Sequence, residues 1–186
     1  MSTLTWIILI IIVLLIAIYI TIYNGLQKAK VYTDESWSQI DVQLKRRNDL
    51  IPNLVETTKG YAKHEKDTLE KVVQLRNQLT NTPSSDRKGT LKISNQISDA
   101  LKSIFALSEN YPDLKANQTF LKLQEELTNT ENKIAYSRQL YNSSAAMYDK
   151  KLLTFPSNIV AKIHGFKKVD YLETPETEKE APKVKF

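Results

Sequence analysis

Leu4 to Tyr23 reads LTWIILIIIVLLIAIYITIY. As a helix rising about 1.5 Å per residue, the stretch is about 30 Å long, the thickness of a bilayer's hydrocarbon core. No charged side chain precedes Lys28, so nothing in it opposes insertion. Trp6 lies near one end and Tyr19 and Tyr23 near the other, where amphipathic rings favour the two interfaces. A lone span in lipid satisfies its backbone groups only as a helix. A cleaved signal peptide is disfavoured by the missing charged n-region, the length of the apolar run and the lack of a small-x-small site after it. With no Cys in the chain, a lipoprotein anchor is excluded as well. Residues 1–27 are therefore predicted to be an uncleaved transmembrane anchor.

What the anchor holds follows from the remaining composition. All 26 Lys+Arg and 21 Asp+Glu lie beyond residue 27, giving that part the whole net charge of +5. The excess is spread out, whereas nucleic acid binding needs a clustered basic footprint; proximity to anionic headgroups accounts for it. Lys28, Lys30 and the cluster Lys45, Arg46, Arg47 follow the span, so the positive-inside rule predicts a cytoplasmic domain behind a short external N-terminus. Four Gly and six Pro leave little turn punctuation, which implies long helices.

Asn24-Gly25 reads as a break or hinge below the span. Beyond it, Trp37, Ile40, Leu44, Arg47, Ile51, Leu54, Thr58 and Tyr61 recur at alternating spacings of three and four, an apolar seam of heptad type carrying two polar interruptions. Pro52 falls inside it, where a regular helix would lose about 3 kcal/mol, so a kink is predicted with neighbouring helices packing across it. Leu69, Val72, Val73, Leu75 and Leu79 mark a second helix, and residues 80–90 a loop. Leu91, Ile97, Leu101, Ile104 and Phe105 mark a third. Asn110-Tyr111-Pro112-Asp113 breaks it, because a residue before Pro is pushed out of helical geometry. A long fourth seam runs Phe120, Leu123, Leu127, Glu131, Ile134, Arg138, Tyr141, Ala145, Tyr148, Leu152. No stretch alternates at period two. The expected fold is all-α: one transmembrane helix, then an antiparallel four-helix bundle of long helices over residues 28–153. An amphipathic segment is assigned to 154–172 and a disordered tail to 173–186, whose Pro, Glu and Lys offer no packable face.

If the first and fourth helices run antiparallel over their full length, Asn24 is level with Leu152. That register sets Trp37 opposite Arg138 and Arg47 opposite Glu131. These are candidate polar pairs, one a cation–π contact and the other a charge-assisted hydrogen bond. They serve either a partner-binding groove or, by preference, a buried device that fixes register. Phe155, Ile159, Val160, Ile163 and Phe166 form a candidate membrane-surface face, with Lys162, Lys167 and Lys168 around it. Docking of that face onto the end of the bundle is the equal rival. Catalytic chemistry finds no support: two His a hundred residues apart, no HExxH, no phosphate loop, no nucleophile elbow. His64 with Glu65 reads as solvated helix-end residues, His164 lies in the amphipathic segment, and no metal or cofactor is expected.

The segment DESWSQIDVQLKRRNDLIPNLVETTKGYAKHEK (34–66), following a span and YNGL, resembles the LemA family. So do ENYPDLKANQTFLKLQEELTNTENKIAYSRQLYN (109–142) and FPSNIVAKIHGF (155–166). The resemblance covers nearly the whole chain apart from residues 75–105 and the tail. It implies a bacterial, single-pass membrane protein with a helical-bundle domain and no established enzymatic activity. Relatives are linked with membrane stress, with membrane-bound proteases and TPM-domain proteins, and with magnetosome membranes. The function expected is a non-catalytic scaffold or adaptor for other membrane proteins in envelope maintenance or stress. The alternative is membrane shaping or lipid sensing through 155–166. Membrane lipid and a protein partner are the expected contacts, and self-association stays open.

Overall fold

A computed structural model describes residues 3–62 and 64–173; the tail assigned from residue 173 lies outside them beyond Glu173. Among these residues the chain is helical with no strand. Its elements are α1 (Thr3–Tyr61), α2 (Lys66–Asn81), α3 (Arg87–Leu107), a 3₁₀ turn (Ser108–Asn110), α4 (Pro112–Lys115), α5 (Gln118–Leu153) and α6 (Ser157–Ile163). α1 is the helix long and apolar enough to cross a membrane, and the window that qualifies it is 0% buried.

The break expected at Asn24-Gly25 is absent: α1 runs through both residues. A lone Gly costs a helix only about 1 kcal/mol. Here a Cβ on Gly25 would lie 3.4 Å from Lys151 Nζ, and that ammonium donates to the Gly25 carbonyl at 3.3 Å. Pro52 is also inside α1. Proline has no N–H to offer the carbonyl four residues earlier. That carbonyl, on Asn48, accepts instead from Arg76 Nε of α2 at 3.2 Å, so a neighbouring helix supplies the missing donor.

The chain forms two compact units. One joins residues up to Gln39 with Ser137–Leu172, and Ile40–Tyr136 make up the other. In the second unit Ile51 and Leu54 of α1, Leu69 and Val72 of α2, Ile97 and Ile104 of α3, and Phe120 and Leu127 of α5 share one buried cluster. Side chains cap the starts of α3 and α5. Asp86 Oδ1 accepts from Gly89 N at 2.8 Å, and any Cβ at Gly89 would collide with Asp86 Oδ2. Asn117 Oδ1 accepts from Phe120 N at 2.9 Å, leaving one fewer orphan donor in the first turn of α5.

In the first unit Thr33, Ser36, Ser144 and Ala145 are buried. The hydroxyls of Thr33, Ser36 and Ser144 bond carbonyls three or four residues back, as Thr33 to Ala29 at 3.0 Å and Ser36 to Tyr32 at 2.8 Å, so burial leaves them satisfied. Leu26 of α1 packs with Val160 and Ala161 of α6, with Ile22, Tyr23, Leu152 and Phe166 around them. α6 closes on Gly165, whose φ of 67° is the left-handed conformation glycine adopts at low cost. Phe166 N donates to Ala161 O and Gly165 N to Lys162 O, the Schellman pattern. From there the chain continues without regular structure to Glu173.

Candidate functional site

One of the two polar interruptions of the α1 seam, Arg47, is a fully buried guanidinium. Arg47 Nη1 donates to Glu131 Oε2 at 2.7 Å and Ser98 Oγ at 2.9 Å, and Nη2 to Ser94 O at 3.1 Å and Ser94 Oγ at 2.7 Å. Ser98 Oγ in turn reaches Glu131 Oε1 at 2.7 Å. The Arg47 side chain is 0% exposed and that of Glu131 40%, so one partner is dry and the other wet. Three helices converge on one cation whose charge would cost several kcal/mol if unpaired. Ser94 shows in the sequence only as a polar gap between Leu91 and Ile97 on the α3 seam, and nothing there ties it or Ser98 to Arg47. Of the other sequence-derived pair, Trp37 lies edge-on to Tyr141, ring centroids 5.8 Å apart, and Arg138 lies three residues before that tyrosine on α5.

The candidate membrane-surface face divides. Val160 is buried and Phe166 half-buried against α1, whereas Phe155 (79%), Ile159 (52%) and Ile163 (65%) are exposed. Ile159 and Ile163 lie one turn apart on one side of α6, Val160 is turned about 100° away, and Phe155 sits in the turn before the helix. Beside them His164 Nε2 lies 2.6 Å from Tyr19 Oη, and its ring sits 4.6 Å from that of Tyr23. His164 is therefore engaged with Tyr19 and Tyr23 of α1.

After Gly165 the chain straps α5. Tyr141 Oη donates to Asp170 O at 3.1 Å. The Asn142 side chain makes two bonds to one residue: Nδ2 to Leu172 O and Leu172 N to Oδ1, both 2.8 Å. Leu172 is buried, and Tyr171 Oη reaches Asp149 Oδ2 at 3.5 Å. Bonds to the main chain leave no trace in the strap's sequence, which is why this contact was unreadable in advance.

Burial is the first cause that lifts the phenols of Tyr111, Tyr148 and Tyr171 above the ordinary value of 10.0. Glu65 adds to it at Tyr111, Asp149 and Asp34 at Tyr148, and Asp149 at Tyr171. A phenol whose folded value is raised stabilises the fold fully below its unfolded value, and that contribution is lost as pH climbs through the folded one. Stability is therefore expected to fall above about pH 10. In an alkaline titration followed by phenolate absorbance and circular dichroism, these phenolates should appear together with loss of helix. Phenolate formation that is complete while helicity is intact would refute the coupling.

Among the described residues no group of three or more His, Asp or Glu is placed to hold a metal. A groove of about 560 Å³ lined by Val55, Ala62, Leu69 and Val73, with Lys59 and Lys66 at its rim, runs along α1 and α2. The arrangement can hold helices in register and offer surfaces.

The family model described as "LemA family" matches residues 36–186, which takes in both long motifs except Asp34 and Glu35. Protein LemA of Metamycoplasma hominis is 29% identical over 155 residues, covering 81% of this chain and 70% of the relative. Magnetosome protein MamQ of Magnetospirillum gryphiswaldense is 26% identical over 177 residues, 82% of this chain and 62% of the relative. Magnetosome protein MamQ 2 of Paramagnetospirillum magneticum is 24% identical over 186 residues, 87% and 68% respectively. The matched region thus spans less than two thirds of the first of these magnetosome proteins.

Proposed function

Because the chain belongs to the LemA family, we propose that it is a non-catalytic, membrane-anchored scaffold or adaptor for other membrane proteins, serving envelope maintenance or stress. The observation that carries this reading is the joining of one apolar span to long helices in a single element, α1. A surface built on α1 is tethered to the span by covalent continuity. An antiparallel four-helix packing of Ile40–Tyr136 belongs to the proposal. It is supported by pairings of ascending α1 positions with descending α5 ones, Arg47 with Glu131 and Tyr61 with Asn117. A cytoplasmic domain is the orientation proposed, from the Lys and Arg after the span. A membrane protease or a TPM-domain protein is the partner class that the family resemblance favours.

The test is photo-crosslinking in intact bacteria from Val42 and Tyr136, both exposed. One membrane protein recovered from both positions is the expected result. Crosslinks to lipid alone, at both positions, would sink the adaptor reading.

A second reading, action on the bilayer through α6, is favoured by the exposure of Phe155, Ile159 and Ile163 beside Tyr19. A seven-residue helix binds lipid weakly alone, but the anchor raises its effective concentration at the surface. Since the chain has no Cys, Ile163→Cys gives one site for a fluorophore. Quenching by headgroup-level spin-labelled lipid is expected in reconstituted vesicles; its absence ends this reading.

A further inference from the structure

The strap over α5 is held as a peptide is held in a recognition groove. Asn142 supplies a donor and an acceptor to the two main-chain groups of Leu172, both at 2.8 Å. A side-chain amide used in this way pairs with any extended backbone, whatever its side chains. The leucine side chain fills the apolar part of the contact.

The neighbouring position is filled poorly. Asp149 lies seven residues beyond Asn142, about two turns along the same face of α5. It is 7% exposed. Its Oδ1 is buried with no hydrogen-bond partner, and Oδ2 receives only the Tyr171 hydroxyl at 3.5 Å, beyond the usual range for such a bond. A buried carboxylate oxygen without a donor is costly, and charged donors form the strongest bonds to it. Tyrosine brings one hydroxyl to a carboxylate that can take several donors. Arginine or lysine at the same place brings more, with the matching charge.

Building on the adaptor reading, we infer that this face of α5 recognises an extended segment of a partner protein bearing a basic residue followed by leucine. The chain's own residues 169–172 occupy the groove as a weaker, built-in competitor. Gly165, in its left-handed conformation, is the joint at which the strap leaves α6. A partner segment takes the same two bonds from Asn142 and adds the donors that Asp149 lacks.

The strap itself provides the first test. In the full chain in detergent micelles, Tyr171→Arg should slow hydrogen exchange of the Leu172 amide about tenfold, one charge-assisted bond's worth. The slowing should disappear when Asp149→Asn is added, a near-isosteric change that spares packing. No slowing, or equal slowing with and without Asp149→Asn, overturns the inference. The second test acts in trans, on full chain carrying Leu172→Ser to loosen the strap. A labelled peptide of residues 167–173 with Tyr171→Arg should bind at least about tenfold tighter than the tyrosine parent, and Asn142→Ala in the chain should abolish binding of both. Peptides that fail to bind, or bind alike, refute the groove. That failure is separable from failure of the adaptor reading, which depends on crosslinks from Val42 and Tyr136 in cells.

Discussion

Replacing Glu131 by alanine is expected to cost about 2–3 kcal/mol of unfolding free energy, below the usual 3–5 for breaking a buried pair. The discount reflects the 40% exposure of Glu131, which lets water share the carboxylate's work. What remains after the change is Arg47, fully buried and left with Ser94 and Ser98 as neutral acceptors. The reverse change differs. Arg47→Met removes the buried charge and fills its volume, and leaves Glu131 free to be hydrated, so about 1 kcal/mol or less should be lost. Urea unfolding of the two variants in the same micelles measures both. If Arg47→Met proves as damaging as Glu131→Ala, the asymmetry between dry and wet partners is wrong.

Phe120→Ala should be more damaging, by about 3–5 kcal/mol, the usual range for emptying an aromatic core site. Phe120 is fully buried in the cluster shared by α1, α2, α3 and α5. Its ring meets that of Phe105 edge-on at 6.3 Å. Its backbone N–H is the one capped by Asn117, so the side chain is fixed where α5 begins and cannot shift to refill the space. Thermal unfolding should show a markedly lower midpoint, with Phe120→Leu recovering most of the loss. A cost under about 1 kcal/mol would mean that the cluster collapses around the cavity.

The apolar seams of α1 and α5 were legible because burial acts on every third or fourth residue, and Trp37, Ile40, Leu44, Ile51 and Leu54 are indeed buried. The family was legible from long motifs that the family model covers almost completely. Asn24-Gly25 was misread because composition cannot report that a lysine far along the chain, Lys151, donates to the Gly25 carbonyl. The split of the face escaped because only Ile159, Val160 and Ile163 lie within α6, and the adjacent Ile159 and Val160 are turned about 100° apart. Asn142 escaped for a different reason. An amide on a helix surface looks like any solvated residue, and its two bonds are to backbone.

Pro52 has a consequence for the order of folding. The proline frees the Asn48 carbonyl, and Arg76 takes it across only 28 residues of chain, whereas the Arg47–Glu131 pair spans 84. Loop closure costs grow with the logarithm of length, and nearby contacts form before distant ones. The α1–α2 hairpin therefore closes first, its sliding position already chosen by the one carbonyl that α1 leaves open. α5 arrives afterwards, onto a template whose register a proline has set.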